Sequence, residues 1–75
     1  MGEKLPSLRP KEVIKAFQRA GFTIIRQKGS HVFLKHPQTG KLICIPQHTE
    51  DIKLGLLLGQ LKKIEMSKEE FLKFL

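Results

Sequence analysis

The chain has 75 residues, a formal net charge of +7 and one cysteine. A chain of this length forms one small domain, which buries only about 60 per cent of the surface that its unfolded state exposes. A single cysteine excludes an intramolecular disulfide and a thiolate zinc site, and no apolar run approaches the length of a membrane span. With no signal-peptide core at the start of the chain, these features predict a cytoplasmic protein that does not enter a membrane.

The positive charge is concentrated in the middle of the chain. No acidic residue stands between Glu12 and Glu50, and all three histidines and several lysines and arginines lie in this window. A cationic segment of this kind attracts polyanions, among which nucleic acid is the commonest partner. A solvated basic surface without a partner is the alternative, but the segregation of the charges favours polyanion binding.

The first predicted element is an amphipathic helix over residues 10–20. Pro10 suits the first turn of a helix because its φ is already helical and its missing N–H would have no partner there. The apolar side chains of one helix face are Val13, Ile14, Phe17 and Ala20. Gly21 then stands where a left-handed helix stop is expected.

Two antiparallel strands are predicted next. Residues 22–28 are rich in β-branched and aromatic side chains, which is typical of a strand. Gly29 and Ser30 make a compact connection, so a second strand over residues 31–36 is expected to pair antiparallel with the first. The connection places His31 directly after a tight turn and close to basic residues.

A third strand is predicted over residues 41–45, after a turn signal at residues 37–40. Pro46 is expected to end this strand because proline cannot extend the hydrogen-bond ladder. Strand alternation then assigns an inner face to Val32, Leu34, Ile43 and Ile45. The outer, partly open face is expected to carry His31, Phe33, Lys35, Leu42 and Cys44.

The last third of the chain is predicted to be helical. Apolar side chains at helical spacing form an expected core stripe of Leu54, Leu57, Leu58, Leu61 and Ile64. Ser67 and Glu70 make a capping box that opens a short extra C-terminal helix. The predicted fold class is α+β, a dsRBD-like α-β-β-β-α arrangement in which a three-stranded antiparallel sheet packs on helices. Residues 1–8 are interpreted as an N-terminal arm, and residues 9–75 as the single domain.

His31 is the candidate catalytic residue. Histidine exchanges protons near neutral pH, and RNA carries its own nucleophile in the 2′-hydroxyl, so cleavage requires no metal ion or cofactor. Nearby cations would stabilise charge on the phosphate, and a glycine lets the backbone approach it closely. The residues expected to bind RNA are Arg26, Lys28, Gly29, Ser30, Lys35, Lys41 and His48.

Each histidine has a structural alternative. His31 is otherwise an ordinary exposed strand residue, and His36, beside Pro37, is more simply a turn residue than an acid. For His48, an RNA contact and packing within a loop are equally good interpretations. Cys44 is interpreted as a small apolar filler.

The chain resembles a known family in several short segments. These are Gly21-Phe22, Arg26-Gln27-Lys28-Gly29-Ser30-His31, His36-Pro37, Pro46 with His48, and Gly55 before Leu57. Over residues 10–71 the chain resembles the HicA (YcfA-like) toxins, small mRNA interferases with a dsRBD-like fold. The resemblance implies an endoribonuclease that cleaves mRNA when free, with His31 as the catalytic residue. It also implies a HicB-type antitoxin that silences the toxin, for which Phe33 and Leu42 are candidate contacts if they are not mere surface residues.

Two other functions remain open at this stage. A non-catalytic double-stranded-RNA-binding module would use the same fold to contact phosphates and 2′-hydroxyls. Such a module normally has a lysine cluster at the start of its last long helix, where this chain has Glu50, Asp51 and only Lys53. DNA binding is the weaker alternative, because no helix-turn-helix pattern is present.

Overall fold

The computed structural model describes residues 8–47 and 51–75. The elements are α1 (Pro10–Arg19), β1 (Thr23–Lys28), β2 (His31–Lys35), β3 (Leu42–Pro46), α2 (Leu54–Lys63) and α3 (Lys68–Leu72). The strands form an antiparallel sheet in the order β1-β2-β3, with the helices packed against it. The predicted α+β, dsRBD-like order is therefore confirmed. No helix in the described ranges is both long and apolar enough to cross a membrane.

Helix α1 ends in a Schellman motif, which explains the position of Gly21. The Gly21 N–H donates to the Gln18 carbonyl and the Phe22 N–H to the Phe17 carbonyl, both at 3.0 Å. Gly21 has a φ of 105°, which a side chain rarely tolerates. The rings of Phe17 and Phe22 meet edge to face with 5.6 Å between their centroids. The predicted helix stop at Gly21 is thus confirmed.

One apolar core joins α1, the sheet, α2 and α3. Nine of the residues that the sequence assigned to the core are buried, namely Val13, Ile14, Phe17, Val32, Leu34, Ile43, Ile45, Leu57 and Leu61. Phe71 brings α3 into the same core, because its ring lies 5.1 Å from that of Phe17. Helix α3 has the predicted capping box: the Ser67 hydroxyl accepts from the Glu70 N–H and the Glu70 carboxylate accepts from the Ser67 N–H, both at 3.0 Å.

Helix α2 buries a narrower stripe than the sequence suggested. Leu57 and Leu61 are buried, whereas Leu54 is 50% and Leu58 40% exposed. The prediction of one wide core stripe is therefore wrong for these two leucines. Helix α2 contacts the edge strand β3 and the short α3, and within the helix it buries Leu57 and Leu61, so the neighbouring leucines remain in solvent.

Strand β3 includes Pro46, which pairs with His31, so the prediction that Pro46 ends the strand is wrong by one residue. Side chains and N–H groups alternate along a strand, so Pro46 has its nitrogen on the same side as Cys44. The Cys44 N–H points away from β2 and donates to the Gln60 side chain at 3.3 Å. The missing N–H of Pro46 therefore removes no bond from the β2–β3 ladder.

The segment before α1 contacts the segment before α2. The Ile52 N–H donates to the Leu8 carbonyl at 2.7 Å, and both side chains are buried. Leu8, the last residue of the predicted N-terminal arm, is thus part of the core. Residues 1–7 lie outside the described ranges, so the division of the chain into an arm and a domain stays a prediction.

Candidate nucleic-acid interface

One face of the sheet is not covered by any helix of the described residues, and we call it the open face. Because Val32 and Leu34 point into the core, the side chains that alternate with them on β2 point outward, and cross-strand pairing extends this set to β1 and β3. The open face comprises Thr23, Ile25, Arg26, Lys28, His31, Phe33, Lys35, Leu42, Cys44 and Pro46. The predicted outer set of β2 and β3 lies on this face.

His31 occupies one end of the open face, next to the β1–β2 turn. It is exposed and stands between Lys28 on β1 and Pro46 on β3. Gly29 has a φ of 59°, and positive φ at the first central residue only is the pattern of a type II′ hairpin turn. The Ser30 carbonyl accepts a hydrogen bond from the Gln47 N–H, which fixes the turn against the end of β3.

A β-bulge in β1 changes which side chains reach the open face. Ile24 lies opposite Leu34 and Arg26 opposite Phe33, so Ile25 is an extra residue without its own partner on β2. Ile25 and Arg26 consequently line the same depression, although neighbours in a regular strand point to opposite faces. Sequence reasoning missed Ile25, whose only signal was the consecutive pair Ile24-Ile25 in an otherwise alternating strand.

Three of the four predicted RNA-binding cations share the open face with His31. Lys28 is directly opposite His31, Arg26 is on the same strand, and Lys35 is at the other end of β2. Four residues of strand place Lys35 about 13 Å from His31. All three side chains are exposed. The cations therefore extend along the face rather than surround one point.

Lys41 is the predicted RNA-binding cation that does not share the open face with His31. Its ammonium group donates to the Ile64 carbonyl at 3.1 Å and to the Glu65 carboxylate at 2.7 Å. This contact satisfies a carbonyl at the C-terminal end of α2, where Glu65 has a φ of 57°. The hydrogen bond and positive charge of Lys41 lower the pKa of Glu65 below its ordinary value. Lys41 thus links the sheet to the C-terminal end of α2.

His36 lies at the end of β2 opposite to His31 and is half-buried. Its ring Nδ1 accepts from the backbone N–H groups of Gln38 at 3.2 Å and Thr39 at 3.4 Å. The ring also meets that of Phe22 edge to face at 5.2 Å. These contacts favour the turn interpretation of His36 over a role as an acid.

His48 lies outside the described ranges, so its predicted RNA contact stays a prediction. Within the described ranges, no group of three or more His, Cys, Asp or Glu side chains is arranged to hold a metal ion. Cys44 is half-buried on the open face, and its role as a small apolar filler stays a prediction.

Phe33, Leu42, Ile25 and Arg26 line a shallow depression of about 190 Å³ on the open face. Phe33 is half-buried, whereas Leu42 is 41% and Ile25 54% exposed. Phe33 and Leu42 are the residues predicted to face the antitoxin. The depression is apolar apart from Arg26, and it lies on the same face as His31.

The fold and this face define a small basic α+β protein whose sheet presents a histidine, cations and apolar side chains to solvent. Residues 10–66 match the family described as "HicA toxin of bacterial toxin-antitoxin". The chain belongs to the HicA toxin family, and it is therefore a toxin of a toxin–antitoxin system, which implies an antitoxin partner. No curated protein matches the chain.

Proposed function

We propose that this HicA toxin is an endoribonuclease that cleaves mRNA without a metal ion, and that His31 transfers the proton. The observation that carries the proposal is the position of His31: exposed, next to a tight glycine turn and directly opposite Lys28 on a cationic sheet face. RNA phosphates bind favourably on such a face because no carboxylate stands between Glu12 and Glu50 in the sequence.

In the proposed reaction the 2′-hydroxyl oxygen of RNA attacks the adjacent phosphorus. A bond from O2′ to phosphorus forms, and the bond from phosphorus to O5′ breaks. His31 removes the proton of the 2′-hydroxyl and, once protonated, supplies a proton to the departing O5′. Lys28 and Arg26 stabilise the charge on the phosphate oxygens. The products carry a 2′,3′-cyclic phosphate and a free 5′-hydroxyl.

The test compares cleavage of a mixed-sequence RNA by the wild-type toxin and by His31→Ala. The expected loss is about 10²- to 10⁴-fold in rate, the usual contribution of one general acid or base. Thr23→Ala is the matched control, because it truncates an exposed residue of the same face at the far end of β1. Circular dichroism checks that each variant is folded.

Two outcomes would reject this mechanism. A folded His31→Ala variant that cuts at the wild-type rate removes His31 from the reaction. Cleavage that EDTA abolishes removes the metal-independent mechanism, since the 2′-hydroxyl route needs no bound ion. The chemical nature of the product ends, identified by mass spectrometry, checks the route independently.

The proposed partner is a HicB-type antitoxin that covers the open face and blocks access to RNA. An acidic protein surface complements the exposed cations, and Phe33 and Leu42 supply apolar contacts at its centre. Hydrogen exchange of the complex should show protection over residues 28–35. Protection confined to the N-terminal segment would contradict direct occlusion.

A further inference from the structure

The depression on the open face is built by an irregularity of the fold rather than by ordinary strand alternation. The bulge in β1 turns Ile25 to the same side as Arg26, and the two side chains face Phe33 and Leu42 across the depression. Bulges of this kind re-aim a side chain at the cost of a regular hydrogen-bond ladder, and they are frequent next to functional sites. Without the bulge, Ile25 would point to the helix side of the sheet.

We propose that this depression binds one unpaired RNA base, which stacks on Phe33 while Ile25 and Leu42 contact its edges. The proposal rests on the proposed function and specifies how that site holds its substrate. Aromatic side chains on an exposed sheet are a general stacking platform for single-stranded nucleic acid, because every base has a π-face.

The size of the depression favours a single ring system. Its volume of about 190 Å³ is below the range of about 300–1,000 Å³ that is usual for pockets that enclose drug-sized ligands. A planar base in a space of this size covers the apolar side chains on both sides of the depression, namely Ile25 on one side and Phe33 and Leu42 on the other. An extended protein segment would need a longer groove than four side chains provide.

The charges around the depression favour a polyanion. Arg26 lines the depression itself, and Lys28 and Lys35 lie on the same face on either side of the row formed by Arg26 and Phe33. Arginine can both pair with a phosphate and stack on a base, so one side chain serves the two parts of a nucleotide. These three cations are exposed and complement phosphates that flank a bound base.

The distance to His31 identifies which base is bound. Phe33 and His31 are two residues apart on the same face of β2, which corresponds to about 7 Å. This separation is on the scale of one nucleotide. A base on Phe33 therefore belongs to a nucleotide adjacent to the phosphate that reaches His31, and it holds that phosphate in register for cleavage.

The experiment measures binding without cleavage. Fluorescein-labelled RNA hexamers with 2′-O-methyl groups cannot be cut by the 2′-hydroxyl route, and a set of them lacks the base at one position in turn. Fluorescence anisotropy gives the affinity of each hexamer for wild type, Phe33→Ala and Phe33→Tyr. Because no reaction is needed, a toxin that fails to cleave RNA would leave this test intact.

The expected result is a coupling between one base and Phe33. Removal of the base at one position should weaken binding to wild type by about five-fold or more, the lower range for a stacked base. The same removal should change the affinity of Phe33→Ala by less than about two-fold, and Phe33→Tyr should behave as wild type. Phe33→Leu is a second variant that keeps the apolar packing without an aromatic face, in case Phe33→Ala is unstable.

Three results would overturn the proposal. If wild type bound all abasic hexamers as well as the intact one, no base would be held. If Phe33→Ala and Phe33→Leu lost the same factor in affinity for intact and abasic RNA, Phe33 would act on the fold or on the RNA backbone alone. If the Phe33 variants bound RNA as wild type does but lost affinity for the antitoxin, the depression would be a protein contact only.

Discussion

The two ends of strand β2 each carry a histidine at a hairpin turn, and their surroundings are different. His36 uses its Nδ1 as an acceptor for two backbone N–H groups and packs its ring on Phe22. His31 is exposed on the open face, opposite Lys28 and beside a two-residue turn. The His36 ring maintains the long β2–β3 turn, while the His31 ring lies on the open face, where we propose that a phosphate binds.

The lysines follow the same division. Lys41, near His36, is held by Glu65 and the C-terminal end of α2, whereas Lys28, near His31, is exposed on the open face. The end of the sheet near His36 is thus fixed by the contact of His36 with Phe22 and by the contact of Lys41 with the C-terminal end of α2. The end near His31 keeps its cationic side chains toward solvent. The comparison separates residues that stabilise the fold from those that are candidates to bind RNA.

Gly21→Ala should give the largest loss of stability, at the His36 end. A left-handed φ costs a residue with a Cβ about 1–2 kcal/mol, and a Cβ at this position would lie 2.9 Å from His36 Nε2. The free energy of unfolding should fall by about 2 kcal/mol or more. Urea denaturation followed by circular dichroism measures it.

The control for this variant is Gly59→Ala in helix α2. Gly59 has an ordinary helical backbone, and, apart from its chain neighbours and the backbone of its own helix, no described atom lies within 4 Å of a Cβ added there. Alanine should raise the free energy of unfolding by up to about 1 kcal/mol, because glycine is a poor helix former. Equal effects of the two substitutions would show that neither φ nor His36 restricts position 21.

His36→Ala should reduce stability by about 1–2 kcal/mol, since two N–H groups lose an acceptor and Phe22 loses a ring contact. Any RNA cleavage per folded molecule should change little, in contrast to His31→Ala. His36→Asn separates the two contributions, because its carbonyl oxygen can still accept from the turn N–H groups. Urea midpoints and initial cleavage rates check both. A stable His36→Ala variant without cleavage would reverse the assigned roles.

Sequence patterns sufficed where the contacts are local or periodic. Alternation on β2 and β3 correctly assigned Val32 and Leu34 to the core and Phe33 and His31 to the open face. The strand bounds and the end of α1 were also within one residue, because glycine and proline mark those turns.

The remaining features depend on residues distant in the sequence or on a local irregularity. The pairing of Lys41 with Glu65 was not foreseen, because 24 residues separate the two and no local pattern reveals the contact; the RNA contact of Lys41 stays a prediction. The bulge at Ile25 was missed because two adjacent isoleucines fit either face of a strand. Leu54 and Leu58 were assigned to the core because periodicity does not reveal how wide a surface the helix covers.

Lys28→Met should weaken RNA binding and reduce its salt dependence, whereas Lys41→Met should do neither. A lysine that neutralises one phosphate contributes about 0.7–1 to the slope of log affinity against log salt concentration. Titration of a short uncut RNA at several salt concentrations measures this slope. A smaller slope for Lys41→Met would mean that the lysine leaves Glu65 to bind RNA, and the division between the two ends of β2 would fail.

The smallest expected effect is the pH dependence that the Lys41–Glu65 pair adds to stability. The hydrogen bond from Lys41, together with its charge, lowers the pKa of Glu65 from the ordinary 4.5. The folded state therefore binds this proton less readily than the unfolded state, so the stabilisation is present above pH 4.5 and is lost as the pH falls through the lowered pKa. The stability difference between wild type and Glu65→Gln should accordingly be larger at neutral pH than in acid, as measured by urea midpoints across this range. Lys41→Met should remove the same pH-dependent contribution to stability, and Lys28→Met should retain it. If the stability difference between wild type and Glu65→Gln were the same in acid as at neutral pH, the pair would contribute nothing to the fold. Lys41 would then again be a candidate for the RNA-binding face.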